Sequence, residues 1–157
     1  MAMMRGRTGC EHREFAGPLQ GCILHRRSMI EPARFNLLVG WTSMVAGTIS
    51  GAAIGLFFHR ESWMGGYASL RRRMVRLGHI AFFGLGIVNV LFALSVAAAA
   101  PPASYARFAA VAFAVAALTM PLCCFLTAWR PAMRLLFPIP VAAVLGGLAG
   151  LLRGFLP

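Results

Sequence analysis

The stretch Asn36–Phe58 reads NLLVGWTSMVAGTISGAAIGLFF, 23 residues without a charged side chain. A helix rises ~1.5 Å per residue and a bilayer's hydrocarbon core is roughly 30 Å thick, so about 20 apolar residues cross it. Leu77–Ala97, Tyr105–Trp129 and Leu135–Leu152 are further apolar runs of that length or nearly so. Four such runs in 157 residues leave too little chain to build a soluble domain. They predict an all-α fold: an integral membrane four-helix bundle with four transmembrane helices.

Composition points the same way. Hydrophobic residues make up 59% and charged residues 12%, against roughly half and a quarter in soluble domains. The chain has neither Asp nor Lys, and all 15 basic residues are Arg. Usage so rich in Arg, Ala, Gly and Pro fits a GC-rich bacterial genome, and the expected location is the bacterial inner membrane. A net charge of +11 could point to nucleic acid. The arginines flank the apolar runs, however, as membrane anchors and topology signals do. The expected partner is the lipid bilayer, not nucleic acid.

Residues 1–28 form a polar, Arg-rich leader without the apolar core of a secretory signal. It is expected to be disordered or untranslated, leaving 29–157 as a single transmembrane domain. Glu31-Pro32 reads as a helix start, because Pro is tolerated in a first turn. His59-Arg60-Glu61 closes the first span, and Trp63, Gly65-Gly66 and Tyr67 form an interfacial loop. Ser69 is a candidate N-cap for the helix carrying Arg71-Arg72-Arg73. Pro101-Pro102 separates the second and third spans, Pro121 predicts a kink in the third, and Trp129-Arg130-Pro131 ends it.

Four spans put both termini on one side. Counted from Met1, that side holds eight arginines and the other seven. Counted from Met29, the figures are three and seven. The second count predicts that translation starts at Met29, with both termini outside and both Arg-rich loops in the cytoplasm.

Gly47, Gly51 and Gly55 recur every four residues, making a nearly straight stripe, with Gly40 one heptad before. Small-xxx-small stripes let helix backbones approach closely within lipid. Packing inside the bundle is the first expectation and a homodimer the second. Gly84 and Gly86, and Gly146, Gly147 and Gly150, predict similar close packing.

The inventory argues against an enzyme. The carboxylates are Glu11, Glu14, Glu31 and Glu61, none within a span. Without Asp or a phosphate-cradling loop, neither paired-carboxylate chemistry nor a Ser–His–Asp triad can be assembled. The intramembrane polar groups are His79, Asn89 and scattered hydroxyls. His79 shares a broad face with Gly86 and Asn89, and is a functional candidate by its position. His59 ends the first span near the same surface, and Cys123-Cys124 return towards it. One layer of the bundle could therefore hold His59 and His79 as haem ligands, with Cys123 and Cys124 as metal ligands. Adjacent cysteines point about 100° apart on a helix, and free Cys is a common apolar packer. Cys10-x-His12 and Cys22-x-x-His25 carry zinc-ligand types at poor spacing.

Arg71, Arg72, Arg73 and Arg76 flank the second span and are expected to contact anionic lipid headgroups. The role expected from all this is a small structural or accessory subunit of a membrane complex, with no cofactor. The alternatives are a b-type cytochrome-like carrier of haem b and a small-solute transporter.

Overall fold

The computed structural model describes the backbone of residues 16–156 and the side chains of residues 31–156. Among the described residues the chain is helical without strands: α1 (Ala16–Phe58), α2 (Leu70–Ala99), α3 (Ala103–Trp129) and α4 (Pro138–Phe155). Glu31–Phe58, Leu70–Ala99, Ala103–Trp129 and Pro131–Phe155 are each long and apolar enough to cross a bilayer. The protein is a multi-pass membrane protein built as a four-helix bundle.

Helix α1 corrects one expectation. It begins at Ala16 and runs straight through Pro32, where the sequence predicts a start. The described backbone of 16–28 is helical and continuous with the first span. An internal Pro removes one helical hydrogen bond and crowds the preceding turn. Pro32 is buried, and Ala33 joins the core around Phe92, Val96 and Ala106, so tertiary packing holds the helix through that gap.

The reversals are short and locally specified. Between α1 and α2 the turn Trp63–Gly65 ends in two consecutive positive-φ glycines, Gly65 at 85° and Gly66 at 86°. That conformation is open to Gly and strained for other residues. Ser69 then caps α2 as predicted, its Oγ accepting from the Arg72 amide at 3.2 Å and donating to the Met64 carbonyl at 2.7 Å. Ala100 leaves α2 in the left-handed region, and Pro101-Pro102 prevents the helix from resuming before Ala103. A 3-10 turn over Pro131–Leu136 leads to Pro138 in the first turn of α4, where its missing amide hydrogen is not needed.

Successive helices are therefore antiparallel, and α1 runs parallel to α3. Helix α3 is the hub, packed against α1, α2 and α4, while α4 lies chiefly on α3. The reason is visible in its side chains. Ala106, Ala109, Ala110, Ala116 and Ala117 are all buried, and such small residues let neighbouring backbones come close on more than one side. Phe113 fills the remaining space, 5.3 Å from Phe92 on α2 and against Gly147 on α4.

Candidate functional site

The polar centre of the bundle is a pair of asparagines. Asn36 on α1 and Asn89 on α2 are both fully buried. Asn36 Nδ2 donates to Asn89 Oδ1 at 2.7 Å and to the Ala110 carbonyl of α3 at 3.1 Å. Asn89 Nδ2 donates to the Phe113 carbonyl of α3 at 3.2 Å and to Leu85 in its own helix at 2.8 Å. One polar layer thus ties three helices together where water cannot compete. Asn36 Oδ1 alone in the pair has no partner. Interhelical hydrogen bonds in membranes contribute about 0.6 kcal/mol each on average. The pair therefore sets register more than it supplies stability.

His79 is a second tie between α1 and α2. Its Nδ1 lies 2.9 Å from the Gly47 carbonyl, which can only accept, so the proton sits on Nδ1. Ser50 Oγ is 3.5 Å from the same nitrogen and itself donates to Gly47. The edge of Phe83 meets the ring at 5.5 Å. The imidazole lies over Gly51, in the space a Cβ there would take.

The glycine stripe is consumed within the chain over most of its length. Gly40 sits against the Gly86 backbone, Gly47 against Phe83, and Gly51 against His79. Gly55 faces open space, as does Gly84, so neither takes part in the close packing expected of it. On α4, Gly147 and Gly150 receive Phe113 and Phe108 of α3.

The expected layer of His59, His79 and the cysteines does not assemble. His59 is exposed just beyond the end of α1. It lies eight residues past Gly51, about 12 Å along a helix, whereas two imidazoles clasping one iron need nitrogens roughly 4 Å apart. Cys123 and Cys124 are buried free thiols. Cys124 packs against Gly78, on the α3-facing side of α2, while the next residue, His79, turns to α1. Among the described residues, no three His, Cys, Asp or Glu side chains converge as a metal site would require. Cys10 and His12 lie outside the described residues, as do the side chains of Cys22 and His25.

The arginine cluster divides by role. Arg72 departs from the lipid-facing expectation, being only 1% exposed. Its Nη2 donates to the Phe58 carbonyl at 2.7 Å and its Nη1 to the Glu61 carbonyl at 3.5 Å. The guanidinium carbon lies 4.5 Å from the Phe58 ring centroid, 4.2 Å from Tyr67 and 5.7 Å from Trp63. It is a cation at the negative end of α1, satisfying a carbonyl the helix leaves unpaired. Arg71 does the same for a different helix, its Nε donating to the Ala128 carbonyl near the end of α3 at 3.1 Å. Arg73 and Arg76 are exposed.

Between the parallel helices α1 and α3 runs an apolar groove of about 530 Å³, which no motif in the sequence announces. Thr42, Ser43 and Ala46 line one wall, Ala114, Ala117 and Leu118 the other, and Phe82 of α2 closes the floor. The buried role of Asn36 is also silent in the sequence, although Asn occurs only twice in the chain, each time inside an apolar run. No protein-family model matches this sequence, and no curated protein or solved structure matches it either, so the geometry of its own residues carries the functional argument.

Proposed function

We propose that the chain is a non-enzymatic accessory subunit of a bacterial inner-membrane complex, and that its groove between α1 and α3 seats a transmembrane helix of a different polypeptide. The groove is the observation that carries this reading. Its walls present Ser43, Ala46, Ala114 and Ala117, residues small enough for a helix backbone to approach, and its lining residues fall within helices long and apolar enough to cross a bilayer. Helices α1, α2 and α3 pack on one another, and the groove opens between the first and the third. The fourth helix of the bundle lines no part of the groove, because Gly147 and Gly150 seat α4 against Phe113 and Phe108 on α3. Leu38, Val45 and Ile49 leave much of α1 exposed beside the groove.

Photo-crosslinking residues placed at Thr42 and Leu118, with Leu145 on α4 as control, test this in native membranes. The two groove positions should give one discrete adduct with another protein, and Leu145 none. Filling the groove with Ala46→Phe and Ala114→Phe should abolish the adduct while the variant still melts as a folded protein. An adduct of twice the chain's mass would make the groove a homodimer contact and overturn the reading. Lipid adducts alone would overturn it as well.

A further inference from the structure

We infer that the α1–α2 reversal carries a binding site for the phosphate of an anionic phospholipid headgroup, centred on Arg73 and Arg76, with Arg60 on the same reversal adding to its positive charge. The argument starts from charge placed against its natural preference. Three arginines in the first turn of α2 oppose the positive end of that helix's dipole, where acidic residues are favoured. Two of them are relieved by the neighbouring helices: Arg72 turns to the end of α1 and Arg71 to the end of α3. Arg73 has no such outlet. Three residues on, Arg76 lies on the same side of the helix, so two exposed like charges are neighbours.

Arg76 and Arg60 also lie within cation–π reach of aromatic rings. The Arg76 guanidinium carbon lies 5.7 Å from the Phe58 ring centroid, and that of Arg60 5.9 Å from Phe57. Phe57 in turn stacks on Trp63 at 6.1 Å, and Phe58 meets Tyr67 edge-on at 5.4 Å. A planar guanidinium beside a ring face keeps its N–H edge free for a phosphate. The only acidic residue of the reversal, Glu61, cannot neutralise three arginines. Trp63 and Tyr67 are the residue types found at the level of lipid headgroups, which makes a lipid the natural source of the anion.

The test uses the full chain in a neutral detergent, titrated with phosphatidylglycerol, with phosphatidylcholine or with inorganic pyrophosphate, and followed by thermal melting and native mass spectrometry. Phosphatidylglycerol should raise the melting temperature and remain attached in the gas phase. Replacing Arg73→Gln and Arg76→Gln together should weaken its binding about thirty-fold. Arg107→Gln with Arg153→Gln, at the opposite end of the bundle, should leave it unchanged. Equal stabilisation by phosphatidylcholine, or equal loss in both double variants, would overturn the site. If pyrophosphate reproduces the shift at matched phosphate, the ligand is a free phosphate and the lipid assignment falls.

Discussion

Replacing Asn89 with Leu tests whether the asparagine layer determines how the helices meet. The two side chains have the same number of heavy atoms branched at the same carbon, so the change removes hydrogen bonding while adding only the bulk of two methyl groups in place of the amide. Three interhelical bonds run through the pair: Asn36 to Asn89, Asn36 to the Ala110 carbonyl, and Asn89 to the Phe113 carbonyl. Asn89→Leu breaks two of them, which at about 0.6 kcal/mol each is roughly 1.2 kcal/mol. It also leaves one Asn36 N–H facing an apolar side chain beside an Oδ1 that already lacks a partner. An orphaned buried polar group adds about 1 kcal/mol or more, and the single variant should lose around 2 kcal/mol. Asn36→Leu breaks two bonds but removes the orphaned Oδ1, and should lose less. The double variant removes both amides, leaving no side-chain polar group stranded, and should be no worse than Asn89→Leu alone. Unfolding by SDS titration in mixed micelles, followed by circular dichroism, gives all three values. Strictly additive losses would refute a shared network, and so would losses below about 0.5 kcal/mol in both single variants.

Two other outcomes follow from the same packing. Gly51→Ala drives a methyl into the His79 imidazole and should lower stability by about 1–3 kcal/mol, as overpacking does. Gly55→Ala, in open space, should be neutral or slightly stabilising, so equal behaviour in a thermal melt would show that the stripe does not face α2. Arg72→Ala uncaps the Phe58 carbonyl and empties the aromatic cage, and should cost about 2–3 kcal/mol. Arg73→Ala, fully outside that cage, should stay within about 0.5 kcal/mol in lipid-free detergent; matching losses in the two variants would contradict the burial of Arg72.

What the sequence made legible was set by interactions within about one turn. The apolar runs, the Ser69 cap, the Pro101-Pro102 break and the close approach at Gly47 and Gly51 all depend on local spacing or on the bilayer. What stayed hidden depends on neighbours. Arg71, Arg72 and Arg73 are identical and adjacent, yet each step of about 100° around α2 points the next one elsewhere. One reaches the end of α3, one the end of α1, and one solvent or headgroups, and only the assembled bundle says which. His59 and His79 share a membrane surface by topology, but depth along α1 separates them, and depth is not written in topology. Pro32 misled because a local rule for helix starts was overridden by burial of Pro32 and Ala33 in the core.

The same neighbour-dependent contacts bear on the groove. At one end, Asn36 anchors α1 to Asn89 of α2 and to the Ala110 carbonyl of α3. At the other, consecutive residues of α2 hold the ends of both groove walls, Arg72 on the Phe58 carbonyl and Arg71 on the Ala128 carbonyl. Helices α1 and α3 are therefore tied to α2 at the Phe35 end of the groove and again beyond its Ala46 end. In a membrane, apolar side chains gain nothing by leaving lipid for protein, so a groove of this kind would close or slide unless something held its walls. Polar ties at both ends do that without filling the middle. On the proposed reading, a partner helix entering the groove would meet walls already in place, and little of the binding free energy would be lost to ordering them.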